Sequence, residues 1–235
     1  MLALGIMWDM PGQTPRQLAR EETLRRIKTL ALGQLAETGA GELSLRAIAR
    51  ELNLVSSAIY RYFASRDELI TALIIDAYND LADVLDEASR RDQRTPADRW
   101  RETCSALRDW ARGQSHRFGL IFGTSIPGYH APQTTIAPAA RVYRALLIIA
   151  LDARPTGEVA IGPELHEQLK ITSTALELGV DEPTMLAVVG AFSRIVGLIT
   201  LELGGHFVGT FEPADQLYVA IVEREAGLLG LTASE

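Results

Sequence analysis

The sequence predicts an all-α protein. Apolar residues recur three and four apart along most of the chain, the spacing of one helix face, while strand-like alternation is scarce. Cap signals open several of these stripes: Ser44, Ser65 with Glu68, and Thr95 with Pro96. Hydrophobic residues make up 47% of the 235 and charged residues 23%, the balance of a globular chain rather than a disordered one.

Taken in order, Leu24, Ile27, Ala31 and Leu35 form a first stripe, ended by Gly39 and Gly41. Ser44 caps a short second helix whose inner face is Leu45, Ile48, Ala49 and Leu52. Asn53 stands where that helix turns, and Asn tolerates the left-handed conformation. A third short helix is expected from about Ser56 to Phe63, with Ile59 and Phe63 inward. Ser65 and Glu68 form an S-x-x-E capping box for a long fourth helix reaching roughly Arg90, with Ile70, Leu73, Ala77, Leu81 and Leu85 inward.

The charged run RRDQRTP marks a boundary. Beyond it Thr95, Pro96 and Asp98 open a helix with Trp100, Cys104, Leu107 and Ala111 on one face. A helix near His116–Phe122 leads into a turn-rich loop, GTSIPGYHAP. Further helices are expected at about 135–151, 164–178, 183–203 and 213–229. The domain boundaries expected are a flexible N-terminal arm at 1–17, a head at 18–65 and a helical body at 66–235, with 66–90 as the connecting helix. The chain shows no repeat and no low-complexity tract.

Charge is uneven. The net value is −7, but residues 11–66 hold nine Arg or Lys against five Glu, a balance of +4. Residues 67–235 hold fourteen against twenty-four, a balance of −10. A basic head on an acidic body points to anion binding at one end, with chance as the plain alternative.

Helices two and three, joined by a tight turn behind an upstream helix, have helix-turn-helix spacing, in which the second of the pair enters the major groove. Ser56, Ser57, Tyr60 and Arg61 lie off its apolar face. Serine and tyrosine hydroxyls suit phosphates, and Arg46 suits a guanine edge or a phosphate. Spacing alone also admits an ordinary helical hairpin with a polar face.

The run LSLRAIARELNLVSSAIYRYFASRDELITALI resembles the DNA-binding domain of the TetR family of bacterial transcription regulators. The block AIYRYFASRDEL carries most of the likeness, which covers about residues 18–78. Two positions depart from the pattern. Asn53 replaces the usual turn glycine. Val55 replaces the usual Ser or Thr cap, which predicts a start one residue later for the recognition helix. The resemblance implies that Arg46, Ser56 and Ser57 meet bases or the groove, and that Ser44, Tyr60, Tyr62 and Arg66 meet phosphates. Arg61 serves either role. Arg16, Arg20, Arg25 and Arg26 form a basic arm toward DNA or merely a solvated helix start.

Trp100 ahead of SALRDWARGQSHRFGLIFGTSIPGYHAP, with LELGGHF later, more weakly resembles an actinobacterial subgroup of TetR-like C-terminal domains named for Trp, His and Gly. The ratio of 21 Arg to 2 Lys suits a GC-rich genome. That resemblance implies a dimer-forming body with a small-effector pocket.

The pocket is expected between two uncharged faces, from Trp100, Cys104, Leu107, Phe118, Phe122, Tyr143 and Leu147. Core filling is the competing reading of the same residues. Such a pocket favours a neutral hydrophobic ligand. Gly190, Ala191 and Gly197 on an apolar helix, with Leu217, Ile221 and Leu228, mark the expected contact with a second copy.

The lone Cys104 excludes an internal disulfide framework. The histidines show no zinc spacing, and no nucleophile or nucleotide motif occurs, so no cofactor, metal site or enzymatic activity is expected. The segment 183–203 comes closest to a membrane span, but it contains Arg194 and Glu202. The first residues do not read as a signal peptide, the start falling at Met1, Met7 or Met10, and a cytoplasmic location is expected. The function expected is a dimeric regulator, in the family's usual mode a repressor, on a palindromic operator of double-stranded DNA, released by a small hydrophobic effector. The competing expectation is a constitutive DNA-binding protein without effector, which a filled core over 95–155 would favour.

Overall fold

The structure is a computed structural model that describes residues 14–90, 95–151, 153, 155–156 and 160–231. Every regular element in them is helical, as the periodicity predicts. The chain forms two compact units, 1–69 and 70–235. The division falls at Leu69, inside the fourth helix, rather than ahead of it at residue 65.

In the first unit α1 runs Pro15–Thr38, opened by a capping box between Thr14 and Gln17 and closed by Gly39 at φ 77°. Helix therefore already covers the last three residues of the expected 1–17 arm; residues 1–13 lie outside the described residues. α2 spans Leu45–Glu51, and the Ser44 hydroxyl accepts from the Ala47 amide. Asn53 takes φ 55°, so the turn is made without the family's glycine.

α3 is shorter than expected. Regular helix covers only Ser56–Ile59, after which Arg61 and Tyr62 donate to the carbonyls three residues back. The Phe63 amide then donates four residues back to Ile59, and its ring is buried. The helix begins at Ser56 with Val55 as its uncapped flank, not one residue later. Ile27, Ala31, Leu45, Ile48, Ile59 and Phe63 fill the core of this unit.

α4 spans Arg66–Ser89. The Ser65 hydroxyl accepts from the Glu68 amide, but Glu68 accepts from Ala64 rather than from Ser65. The box is thus displaced by one residue on its return arm. Its inward stripe of Ile70, Leu73, Ala77, Leu81 and Leu85 is buried as expected.

In the second unit α5 (Pro96–Gly113), α6 (Ser115–Phe122), α7 (Ile136–Ile149), α8 (Pro163–Leu176), α9 (Glu182–Leu203) and α10 (Asp215–Leu228) follow. Of the boundary run RRDQRTP, residues 91–94 lie outside the described residues. Thr95 caps α5 on the Asp98 amide, with Pro96 at its first position. α5 is the central helix, touching α6, α7, α9 and α10. Its Trp100 indole donates to the Val222 carbonyl at 3.1 Å, and the Tyr218 hydroxyl donates to the Cys104 carbonyl at 2.6 Å. Buried Trp and Tyr need such partners for their polar tips.

Arg108, almost buried, reaches Glu202 with two nitrogens and Asp215 with a third, and lies over the Tyr218 ring. Arg194 grips Glu225 with a bidentate pair from α9 to α10. These two guanidinium groups fix α9 and α10 beyond what apolar burial alone specifies. α9 is long and apolar enough to cross a membrane. Its Met185, Val188, Phe192, Ile195 and Ile199 nonetheless pack into this core, and the two charges noted in the sequence, Arg194 and Glu202, are spent on ion pairs.

α9 keeps a narrow solvent face. Val189, Ser193, Gly197 and Leu201 form an exposed line at four-residue spacing. Ala191, expected on the outer face, is fully buried in the chain's own core.

Candidate nucleic-acid interface and effector cavity

The first unit presents the predicted polar set outward. Ala58 and Ile59 turn in, which leaves Ser56, Ser57, Tyr60 and Arg61 exposed around the same short turn. Arg46 is exposed at the start of α2. Ser44 is half-buried and already occupied: its hydroxyl caps α2 while its amide donates to Gln34 Oε1 at 3.0 Å. Its hydroxyl reaches a phosphate only as a shared group.

Tyr62 is half-buried, with the Arg20 guanidinium 5.2 Å from its ring centre. That stacking orients the ring and spends Arg20 inside the unit. Arg25 is likewise engaged, by Glu22 at 2.6 Å, while Arg16 and Arg26 are exposed. Arg66 reaches the Gly41 carbonyl and Asp67, so it pins α4 to the turn before α2.

The second unit holds a cavity of about 580 Å³, within the range of small-molecule sites. Ile74 and Tyr78 of α4, Ile121 of α6, Tyr143 of α7, and Met185 and Val189 of α9 form much of its wall. The loop 123–132 covers one side with Ile126 and Tyr129, and α8 adds Thr172 and Leu176. No Asp, Glu, Lys, Arg or His lies in the lining.

Of the seven residues expected there, only Tyr143 lines this cavity. Trp100, Cys104, Leu107, Phe118 and Leu147 are buried core instead. The reason is geometric: the α5 stripe faces α10 and α7 directly, with the Trp100 indole spent on Val222. Phe122 lies one layer behind the wall, edge-on to Tyr78 and to Phe192, and Phe192 in turn meets Tyr143 at 4.9 Å between ring centres. Tyr78 and Tyr129 were missed. Ile74 and Tyr78, an i, i+4 pair beside the inward stripe of α4, were the available signal.

Burial, and then the neighbouring Tyr143, push the Tyr78 hydroxyl above its ordinary pKa. Burial alone does the same to Tyr143. Both therefore stay protonated donors at neutral pH.

Two family models match the chain. Residues 27–73 match the family described as bacterial regulatory proteins, tetR family, and residues 100–224 match the tetracyclin repressor-like C-terminal domain. An HTH-type transcriptional regulator of Mycobacterium tuberculosis (strain H37Rv) is 41% identical, over 82% of this chain and 85% of its own length. The chain belongs to the TetR family. Members are transcription regulators rather than enzymes. Among solved structures, the regulatory protein SCO4313 aligns with a TM-score of 0.72 at 32% identity, covering 91% of this chain and all of that one. The TetR family regulator PfmR of Thermus thermophilus shares the fold, with a TM-score of 0.54 at 19% identity over 88% of this chain and all of its own. The match to the TetR head thus runs from Ile27 within α1 to Leu73 within α4, and the match to the TetR body from Trp100 within α5 to Arg224 within α10.

Proposed function

We propose that this TetR family protein is a dimeric repressor that binds double-stranded DNA at a palindromic operator and is released by a small apolar effector. The observation that carries the DNA-binding part is the exposed set Ser56, Ser57, Tyr60 and Arg61 on the turn whose inner side is Ala58 and Ile59. Hydroxyls and a guanidinium at that place serve phosphate and base-edge contact. Arg46 reads a base, Ser44, Tyr62 and Arg66 support phosphate contact, and the acidic body keeps nucleic acid to the head.

The effector part rests on the uncharged cavity. The core at Trp100, Cys104 and Leu107 is filled, which on its own favours constitutive binding. The cavity beside it, walled from several helices and a loop, supports a ligand-released protein instead. The exposed line Val189, Ser193, Gly197 and Leu201, with Val219 and Leu228 on α10, is the surface for the second copy. A cytoplasmic location follows for a protein acting on DNA in a bacterium.

The test is a gel shift with the DNA flanking the protein's own gene, followed by footprinting. A protected palindrome on that DNA supports the reading. Equal affinity for flanking and random DNA at physiological salt overturns the operator part. Survival of the complex intact through a screen of neutral apolar compounds overturns the effector part.

A further inference from the structure

The hydrogen-bonding groups around the cavity narrow what it can hold. Thr135 donates its hydroxyl to the Pro132 carbonyl at 2.8 Å, and Thr172 to the Gln168 carbonyl at 2.8 Å. The Tyr129 and Thr71 hydroxyls pair at 2.9 Å. Tyr78 donates to the Ile121 carbonyl at 3.4 Å, a long and weak bond. Thr124 and Ser125 lie on the exposed loop at the rim. Tyr143 is different. Its ring is held against Phe192, it lines the cavity, and its hydroxyl has no hydrogen-bond partner among the described residues.

A half-buried hydroxyl in an apolar wall gains from an acceptor and has none inside the protein. The lining holds no cation to neutralise an anion, and an unpaired carboxylate there would carry its full desolvation cost. We propose that the cavity selects neutral ligands that carry one hydrogen-bond-accepting oxygen on a hydrocarbon frame, and that Tyr143 reads that oxygen. Tyr78 is the second donor, freed at little cost because its own bond is long. The ligand class is thus ketones, esters, lactones and similar carbonyl compounds, not their carboxylic acids. This rests on the cavity being the effector site, but its binding titrations use no DNA, so the two fail separately.

The experiment is calorimetric titration of the full-length protein at pH 7.5 with three probes of one shape: 4-pentylacetophenone, 4-pentylbenzoate and pentylbenzene. The ketone is expected to bind at least tenfold tighter than the benzoate. Tyr143→Phe is expected to weaken the ketone about three- to tenfold, the size of one hydrogen bond, and to leave pentylbenzene unchanged. The pentylbenzene arm reports whether the variant keeps its cavity. Benzoate binding as tight as the ketone overturns the proposal, as does failure of the ketone to bind. Equal ketone affinity in wild type, Tyr143→Phe and Tyr78→Phe overturns the role of the tyrosines. A ketone that binds as expected yet leaves a gel shift unaltered refutes the effector reading and leaves this one standing.

Discussion

The Tyr129 and Thr71 hydroxyls lie 2.9 Å apart, tying the loop 123–132 to α4. Tyr129 is 58 residues downstream of Thr71, so this one contact closes a long stretch of chain over the cavity. Tyr129→Phe keeps the ring and removes the bond. Hydrogen exchange by mass spectrometry is expected to show the amides of 123–132 exchanging several-fold faster, with α5 unchanged. An unaltered exchange rate would mean that apolar packing of Ile126 holds the loop.

For the head, Tyr60→Phe is expected to weaken specific and random DNA alike, by about 0.5–1.5 kcal/mol. Arg46→Ala is expected to cost about 1–3 kcal/mol and to relax preference at one base pair. Fluorescence anisotropy across a set of single-base operator variants separates the two. Equal losses on every sequence for Arg46→Ala would remove it from base reading. Affinity for all sequences should fall steeply with salt, since phosphate contacts release counter-ions.

The second copy is tested by sedimentation. The wild type is expected to be a dimer at micromolar concentration, and Leu201→Glu or Val219→Glu a monomer, both sites being exposed in the single chain. A wild-type monomer at that concentration rejects the assembly. A dimer places two recognition turns one or more DNA turns apart, about 34–36 Å each.

Alkaline pH should destabilise the body. Burial, and then nearby Glu225, push the Cys104 thiol far up; burial, then Cys104, do the same for the Tyr218 hydroxyl. Their folded pKa values are raised, so the stabilisation is complete below the unfolded values and is lost as pH rises past them. The unfolded chain then binds fewer protons than the folded one. Stability should fall by about 1.4 kcal/mol per pH unit for each group, beginning near pH 8.5 for Cys104 and near 10 for Tyr218. Urea titrations from pH 7 to 10.5 test this. Cys104→Ala should delay the onset to about pH 10. A flat profile to pH 10.5 would contradict the burial of both groups. The thiol should also resist alkylation until the chain unfolds.

The helical stripes and caps were legible in the sequence because each follows from a local rule. Ser44, Thr95 and Asn53 do what their side chains favour, and the inward set of α4 repeats at helical spacing. The cavity was not legible in that way. Whether Trp100 lines a pocket or a core depends on what stands opposite, and Val222, 122 residues away, decides it. The short α3 is a similar case. Its end at Ile59 reflects the bonds of Arg61 and Tyr62 to carbonyls three residues back, which an apolar pattern of i and i+4 cannot distinguish from regular helix. The loop GTSIPGYHAP was recognisable as a loop, yet its role as a cavity wall depends on the partner of Tyr129. For α9, periodicity showed an apolar helix but not that Arg194 and Glu202 are held by ion pairs.

The uncharged lining of the cavity also sets how the protein responds to temperature. A ligand entering it would exchange mainly apolar surface with water, beside the hydrogen bond proposed for Tyr143, so binding would carry a negative heat-capacity change. The association enthalpy then becomes more favourable on warming while the entropy becomes less so, and affinity passes through a broad optimum instead of changing steadily. A ligand concentration chosen to half-saturate the protein at one growth temperature would leave it under-occupied at another, even though the wall holds no carboxylate, histidine, lysine or arginine.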